Sequence, residues 1–327
     1  MHFLKPRKAI HELSTSSLSN INELTYVVES DGYGQRIDNF LFSRLKGVPK
    51  SHVYRLLRTG KIKVNGERVK QTHRLKKQDK VLVPALRLAT KKTAVIADNL
   101  VKLIQSSILY EDESIIAINK PSGMAVHPGS RVSFGVIEVL RAARPHATFL
   151  ELVHRLDRGT SGCLLVAKNR NILSEVHELL RTRSVEKEYL ALVRGQWKHN
   201  DETIYKPLKI KHDKPGNLVE PDQASQLRTA VTSFSLQKVF SEHSLIRARI
   251  STGRTHQIRI HAAQMGHPVA GDRKYGDFAF NRACRKNGLS RMFLHATRVA
   301  FECRSNGVKY AITAPMDEEL KRYLNKI

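Results

Sequence analysis

The chain has 327 residues, enough for two domains with a sizeable hydrophobic core. It carries 56 Lys and Arg against 30 Asp and Glu, a formal net charge of +26 that indicates a polyanionic partner such as nucleic acid. No apolar run of 18 residues occurs, so the sequence predicts no membrane-spanning helix. The three cysteines are scattered and odd in number, which fits neither a disulfide framework nor a zinc site and is typical of the cytoplasm.

Residues 1–30 show no hydrophobic period, and we expect a flexible N-terminal arm there. Residues 31–84 predict a small α+β domain. Its two helices are marked by apolar residues at helical spacing: Ile37, Phe40, Leu41 and Leu45, then Val53, Leu56 and Leu57. Ser51 is the expected N-cap of the second helix. The run KIKVNGERV places Asn65-Gly66 between two short alternating segments, which predicts a β-hairpin, and Val83 marks a last strand.

This small domain is strongly basic, with 14 Lys and Arg against three Asp and Glu in residues 35–84. A solvated basic surface is the simpler interpretation of a charge run. Like charges at this density repel each other, however, which favours a domain that binds RNA or DNA. Arg55 and Arg58 lie three residues apart on the second helix and therefore share a face, and Lys61 and Lys63 follow at the start of the hairpin.

Residues 85–108 predict a linker with one amphipathic helix, from Val95 to Ile104. From residue 109 onward short apolar strands alternate with loops, and two helical stretches interrupt them, at 170–182 and 254–265. Strands outnumber helices, and strict βαβ alternation is absent. Residues 109–327 therefore predict an α+β domain built on a mixed, mostly antiparallel sheet.

The segment HRLDRGTSG at residues 154–162 holds the first candidate for chemistry. It lies between the apolar runs LELV and CLLVA, so it predicts a tight loop between two strands. Asp157 stands there between Arg155 and Arg158. An acid in an arginine-rich loop is poised to act as an ionised nucleophile or base beside a negatively charged substrate. The simpler interpretation is a loop-capping aspartate.

Three other segments place polar side chains at strand ends or loop edges. They are INKPSGMAVHPG at 118–129, with Lys120; VEKEYLALVRG at 185–195; and STGRTHQIRIH at 251–261, where Arg254 follows a glycine and opens the predicted helix. Strand alternation puts Lys187 and Tyr189 on one face. Taken singly, Tyr189 could be an ordinary sheet tyrosine and Arg254 a surface arginine. Together with Asp157 they form a coherent constellation.

Motifs for nucleotide or metal chemistry are missing from the sequence. There is no P-loop, no HExxH and no GxSxG. His256, His261 and His267 are close in sequence, but no further ligands are spaced as in a zinc site. We therefore expect neither a cofactor nor a metal.

The segments INKPSGMAVHPG, HRLDRGTSG, KxYxAxVxG and GRTHQIRIH, in this order along the chain, resemble the signature segments of the RluA-type pseudouridine synthases. QRIDNFL and GKIKVNGERV resemble the small alpha-L RNA-binding domain that many members carry. Longer stretches such as FLELVHRLDR and ALVRGQW are most similar to the branch acting on large-subunit ribosomal RNA. The chain departs from the family at Gly159, where an acidic residue is expected; we expect no loss of activity from this.

The resemblance implies an enzyme that breaks the bond between ribose and a uracil nitrogen, turns the base, and rejoins it through a ring carbon. Asp157 is then the catalytic carboxylate, which either attacks the anomeric carbon or removes the neighbouring ribose proton. Arg254 is expected to pair with Asp157 and fix its direction. Tyr189 is expected to stack on the uracil and to help remove the carbon-bound proton.

The implied substrate is a uridine flipped out of large-subunit ribosomal RNA. The resemblance further implies a cytoplasmic monomer with no cofactor, no metal, no membrane association and no obligate protein partner. Arg155 is expected to contact phosphates or fill the gap left by the base. The candidate RNA contacts are Arg155, Arg158, Lys120, Lys187, Arg55, Arg58, Lys61 and Lys63.

Other functions predict different features. A non-catalytic RNA-binding or ribosome-assembly factor would use the same basic surfaces without needing Asp157. A methyltransferase with the same N-terminal module would need a glycine-rich cofactor loop after a strand, and the sequence has none. A basic membrane-surface protein would need a long amphipathic helix with Trp or Phe opposite a basic face, which is also missing.

Overall fold

A computed structural model of the chain describes residues 18–21, 23–29, 32–45, 48–89, 96–128, 134–199, 201–210, 219–221 and 229–327. The chain divides into two compact units, Met1–Ala94 and Val95–Ile327. Most of the arm predicted over residues 1–30 lies outside the described residues. Leu24–Val27, however, is a strand that pairs with Lys80–Val83, because its residues complete the sheet of the first unit. The prediction of an arm was wrong for this segment.

The first unit is a small α+β domain. Its described elements are β1 (Leu18–Ile21), β2 (Leu24–Val27), α1 (Ile37–Arg44), α2 (Lys50–Arg58), β3 (Lys63–Val64), β4 (Glu67–Arg68), β5 (Lys80–Val83) and β6 (Leu86–Ala89). Strands β2, β5, β3 and β4 form an antiparallel sheet in that order, and β1 pairs with β6.

The two predicted helices are confirmed, and their apolar faces form the core of this unit. Phe40 and Leu41 of α1 and Val53 and Leu56 of α2 are buried in one cluster. The predicted N-cap was wrong. Pro49 occupies that position and α2 begins at Lys50, because the ring of Pro49 holds φ at −58° and starts the helix before Ser51.

The predicted hairpin is also confirmed. Strands β3 and β4 pair Lys63 with Arg68 and Val64 with Glu67. Asn65 and Gly66 both have positive φ, +50° and +85°, as a two-residue turn between right-twisted strands requires. The hairpin therefore follows directly from the Asn-Gly pair in the sequence.

The second unit is larger. Its described elements are α3 (Asp98–Ser106), β7 (Ile108–Glu111), β8 (Ile115–Lys120), α4 (Val136–Ala143), β9 (Glu151–Leu152), β10 (Ser161–Ala167), α5 (Arg170–Arg181), β11 (Glu186–Arg194), β12 (Glu202–Ile210), β13 (Val219–Pro221), β14 (Thr229–Val239), β15 (His243–Ile250), α6 (Gln257–Gln264), α7 (Phe278–Lys286), β16 (Leu294–Glu302), β17 (Lys309–Thr313) and α8 (Glu318–Lys326).

One mixed sheet organises this unit, as the sequence predicted. The strand order is β13-β12-β14-β15-β11-β16-β10-β8-β7, with β17 beside β16 and β9 beside β10. Among the described strands, β10 and β16 pair in parallel and the other pairs are antiparallel. The sheet therefore brings β10, β11 and β16 together at its centre.

Helix α3 belongs to the second unit and not to a linker over residues 85–108. Its Ile104 is fully buried in the same cluster as Ile116 of β8 and Val136 and Leu140 of α4. The amphipathic pattern found the helix, but a helix that buries one face needs a partner. That partner is α4. No helix within the described ranges is both long and apolar enough to span a membrane.

Candidate active site

Asp157 lies in the loop that precedes β10, at the edge of a cleft in the second unit. The Thr160 amide donates a hydrogen bond of 3.0 Å to the Asp157 carbonyl oxygen and closes the loop into a tight turn. The side chain of Asp157 is 26% exposed. The carboxylate is therefore accessible to a substrate while most of the side chain is held by protein.

Arg259 of α6 holds this carboxylate. Its Nη1 donates to Asp157 Oδ2 at 2.9 Å, while Nε and Nη2 donate to the two oxygens of Asp272 at 2.7 and 2.8 Å. Burial raises the pKa of Asp272, but the hydrogen bonds and charge of Arg259 outweigh it and leave the pKa below its usual value. One guanidinium thus bridges a buried carboxylate and the accessible one, and its direction is fixed on both sides.

The structure corrects the predicted partner of Asp157, which is Arg259 and not Arg254. Helix α6 begins at Gln257, three residues later than predicted, because His256 adopts a left-handed conformation with φ +58°. Arg254 therefore lies in the loop before the helix, where its amide donates to Gln257 Oε1 at 3.1 Å. Its side chain still lines the cleft beside Asp157.

The sequence did contain a signal for Arg259. Both neighbours in the chain, Ile258 and Ile260, are buried, and so is Arg259 itself. A cation within an apolar helical stretch needs a carboxylate partner, because an unpaired buried charge is strongly unfavourable. The run QIRIHAA had that character, whereas Arg254 has only its place after a glycine.

Tyr189 forms one wall of the cleft together with Leu156, Ile250 and Leu294. The predicted alternation of β11 is confirmed, since Tyr189 and Ala191 are both buried in the main core. A register shift between Glu188 and Tyr189 against β16 is the type of bulge that redirects a side chain. Burial, and next the Asp157 carboxylate, raise the pKa of Tyr189, so its phenol is neutral at physiological pH.

A second cavity of about 540 Å³ adjoins the cleft and shares Arg155 and Tyr189 with it. Lys187 and Arg181 line it, so the cavity is cationic. Lys187 is mostly buried, and burial lowers its pKa to about 8. His154 lines it as well, and its Nε2 accepts a hydrogen bond from the Leu165 amide at 3.2 Å.

Lys120 is not placed to contact RNA, contrary to the prediction. It is fully buried at the end of β8, and its Nζ donates to the carbonyl oxygens of Pro121, Met124 and Arg158 at 2.8, 2.9 and 3.3 Å. Burial lowers its pKa to about 7. The ammonium ties the loop after β8 to the loop that carries Asp157, because three carbonyls replace its hydration.

The two arginines beside Asp157 are exposed. Arg155 lies where the cleft and the second cavity meet. Arg158 lines a different cavity, together with Arg259 and Asp272, and its Nε donates to the Gly123 carbonyl at 2.7 Å. In the first unit Arg55, Arg58, Lys61 and Lys63 are exposed too. Their contacts with RNA stay predictions.

No group of three or more His, Cys, Asp or Glu side chains within the described residues is arranged to hold a metal ion. His256, His261 and His267 each have a hydrogen-bond partner within the protein, and His256 also lines the cleft with its Nε2 3.9 Å from Asp157 Oδ2. Their Nδ1 atoms lie 2.9, 2.9 and 2.8 Å from Tyr275 Oη, Thr232 Oγ1 and the Arg194 carbonyl oxygen, respectively.

Comparisons with known proteins agree with this architecture. Residues 114–264 match the family model described as RNA pseudouridylate synthase, and residues 35–81 match the S4 domain. Ribosomal large subunit pseudouridine synthase C of Haemophilus ducreyi is 45% identical over 317 residues, which cover 96% of this chain and 99% of that protein. The protein of the same name from Escherichia coli strain K12 is 47% identical, over 92% and 95%.

A solved structure shares the fold. Human RNA Pseudouridylate Synthase Domain Containing 4 superposes with a TM-score of 0.59 at 23% identity, over 70% of this chain and 95% of that chain. This likeness concerns the fold alone. The sequence relatives show the family as well, because their identity to this chain extends over nearly the full length of both chains. The chain belongs to the RluA-type family of RNA pseudouridylate synthases.

Proposed function

We propose that this enzyme isomerises specific uridines in large-subunit ribosomal RNA, with Asp157 as the catalytic carboxylate. The observation that supports this most is the placement of Asp157 in a cleft that Tyr189 and Arg259 also line, with the Arg259 guanidinium donating to its carboxylate. The names of the relatives support the choice of substrate. A uridine reaches the cleft only when it is flipped out of its stack.

The reaction needs a carboxylate beside the anomeric carbon, as glycosidase chemistry does. Asp157 either attacks that carbon or removes the neighbouring ribose proton, and uracil leaves through its nitrogen. The base then turns, and a ring carbon bonds to the anomeric carbon while the bond from Asp157 to that carbon breaks or, on the other route, while Asp157 returns the proton to the ribose. The ring carbon loses its hydrogen as a proton, and the nitrogen that was bound to the sugar gains one. Water must be kept away from the detached uracil, which fits a cleft with Leu156, Ile250 and Leu294 in its walls.

Arg259 positions the reacting carboxylate. Because Asp272 binds the other side of the guanidinium, Arg259 cannot swing away without leaving a buried charge unpaired. Tyr189 is suited to lie against the flipped uracil, since its ring forms a wall of the cleft. Its neutral phenol can donate a hydrogen bond to the base. In this proposal Tyr189 also assists the final removal of the proton from the ring carbon.

The two units have separate tasks in this proposal. The first unit, Met1–Ala94, binds RNA through Arg55, Arg58, Lys61 and Lys63, and the second unit, Val95–Ile327, performs the isomerisation. In the second unit Arg155, Arg158 and Lys187 face the phosphates and the space that the flipped base vacates. We expect a cytoplasmic monomer that needs no cofactor.

The test is to incubate the purified protein with ribosomal RNA transcript and EDTA and to map pseudouridine by carbodiimide-dependent stops of reverse transcription. We expect defined stops in the large-subunit RNA with the wild-type protein and none with Asp157→Ala. Unchanged stops with Asp157→Ala would refute the assignment of the carboxylate. Wild-type protein that binds the RNA but yields no stops would instead favour a non-catalytic RNA-binding function.

A further inference from the structure

Helix α7 exposes an aromatic ring among arginines. Phe278 is 77% exposed, and the Arg282 guanidinium carbon lies 4.9 Å from the centre of its ring. Arg285 follows one turn later on the same face. The opposite side of the helix is anchored, since Cys284 is buried in a cluster with Leu289. A single exposed Phe is common on protein surfaces, but this one lies beside a group of arginines.

The ring borders a cavity of about 490 Å³ whose cations come from Arg273, Arg282 and Arg285. The one carboxylate in its wall, Asp272, already forms a bidentate ion pair with Arg259. The cavity therefore presents net positive charge beside an aromatic face. We call Arg273, Phe278, Arg282 and Arg285 the α7 platform.

The α7 platform is held in place by hydrogen bonds. Asn281 accepts from the Gly271 amide at 2.7 Å and donates to the Asp272 carbonyl at 2.9 Å. Asp277 caps the helix by accepting from the Phe280 amide at 2.7 Å. A surface that is fixed before binding loses less conformational entropy when a ligand arrives.

The platform is continuous with the active site. Its cavity shares Asp272 and Arg273 with a neighbouring cavity that Arg158 and Arg259 also line. Arg259 in turn contacts Asp157. Cations therefore line the whole path from Phe278 to the catalytic carboxylate, which is the arrangement that a nucleic-acid strand needs on its way into a cleft.

We propose that the α7 platform binds an unpaired nucleotide of the substrate RNA next to the flipped uridine, with its base stacked on Phe278 and its phosphates beside the arginines. Single-stranded RNA fits because an aromatic side chain reaches a base face only when the base is unpaired. Ring stacking combined with a cationic groove is how proteins hold single strands without reading their sequence. This inference rests on the proposed function.

The first test compares Phe278→Ala with Tyr205→Ala, a control that removes another exposed aromatic ring, 67% exposed on β12. Phe278→Ala should raise the RNA dissociation constant and KM by roughly fivefold or more, with little change in kcat. Tyr205→Ala should behave as wild type. Equal RNA affinity of Phe278→Ala and wild type would overturn the proposal, as would equal losses in both variants.

The second test follows stacking directly and does not depend on activity. Trp197 is the only tryptophan of the chain and is buried, so Phe278→Trp adds a distinct surface fluorophore. Its emission should be quenched by RNA with an unpaired segment beside the target uridine, and much less when complementary strands pair the segments on both sides. Equal quenching in both cases, or none, would contradict the proposal. If wild-type protein binds RNA but forms no pseudouridine, the proposed function fails while this readout stands.

Discussion

In this protein, two carboxylates in different surroundings bind the same guanidinium. Asp272 is buried and needs Arg259 for neutralisation, whereas Asp157 is partly exposed and needs Arg259 for direction. Asp272 keeps the guanidinium in place, and Asp157 accepts a hydrogen bond from its Nη1. A catalytic carboxylate aimed by a fixed guanidinium does not have to be reoriented when the substrate arrives.

This arrangement predicts that Arg259 and Arg254 differ sharply in their effect on stability. Arg259→Ala should lower the free energy of unfolding by about 3–5 kcal/mol, because it leaves Asp272 buried without its cation. Arg254→Ala removes a side chain from a loop and should change it by less than about 1 kcal/mol. Urea unfolding of both variants measures the difference, and similar losses would show that the ion pair with Asp272 does not stabilise the fold.

At the scale of single residues, the sequence predicts which residues are functional candidates better than it predicts which groups they contact. Asp157 and Tyr189, whose segments have a clear local pattern, do line one cleft. Arg259 was missed because its partner Asp157 lies 102 residues away in the sequence, and only its buried neighbours Ile258 and Ile260 pointed to a buried ion pair. Lys120 was misjudged because its three carbonyl partners come from two loops that are distant in sequence.

Among the elements, β10 is the most constrained by its neighbours. It runs antiparallel to β8 and parallel to β16 at the same place, and Gly162 pairs with both Lys120 and Ala296. Gly162 has φ +106°, and a Cβ there would lie 2.1 Å from the Ala296 carbonyl oxygen. Only glycine lets the two strands approach so closely beside the Asp157 loop.

Gly162→Ala should therefore lower the free energy of unfolding by at least about 3 kcal/mol or prevent folding. Gly159→Ala is the matched control in the loop just before β10, because its Cβ would lie 3.4 Å from the flexible end of Met292. That change should cost less than about 1 kcal/mol and leave activity intact. Chemical denaturation of the two variants tests this, and a stable Gly162→Ala protein would contradict the geometry.

His261 of helix α6 should make the stability of the fold depend on pH. Burial lowers the pKa of His261 to about 4, whereas the unfolded chain has about 6.5. Between these values the unfolded state binds the proton and the native state does not, so stability is full above pH 6.5 and falls as the pH drops. His261→Gln should reduce the slope of unfolding free energy against pH by up to about 1.4 kcal/mol per pH unit in this range. An unchanged slope from pH 7 to 5 in urea unfolding would contradict the assignment.

Hydrophobic periodicity and turn residues predicted most elements at the correct place. Helix α5, for example, spans Arg170–Arg181, and the prediction was 170–182. The linker prediction failed for a reason of packing. Helix α3 looked like part of a linker because the surface that covers its apolar face, α4, follows 30 residues later in the sequence. The local pattern identifies a helix whose apolar face must be buried, but it does not show which element packs against that face.

For the whole molecule, the net charge of +26 predicts RNA binding that weakens steeply with salt. Replacing Arg55, Arg58, Lys61 and Lys63 by Gln should weaken RNA binding and lower the slope of log affinity against log salt, by about 0.7–0.9 for each phosphate that is no longer neutralised. The control replaces four exposed basic residues of β17 and α8: Lys309, Lys321, Arg322 and Lys326. RNA titrations at several salt concentrations compare the two variants. Equal slopes would show that the four basic residues of the first unit do not bind phosphates.

The architecture as a class, α+β with a mostly antiparallel sheet and a small basic domain before it, was predictable because strand count and charge are local properties. The strand order was not, since β10 and β16 meet across 134 residues of sequence at Ser161 and His295. That pairing brings the Asp157 loop beside β11 and Tyr189, so the active site is a product of the long-range topology.

The most direct test of the catalytic claim follows the hydrogen that leaves the ring carbon. Large-subunit RNA labelled with tritium at that carbon is incubated with wild type and with Asp157→Asn, which keeps the size of the side chain but not its charge. We predict tritium release by the wild type and none above background by Asp157→Asn, with RNA affinity retained. Release by Asp157→Asn within tenfold of the wild-type rate would contradict the catalytic role of the carboxylate.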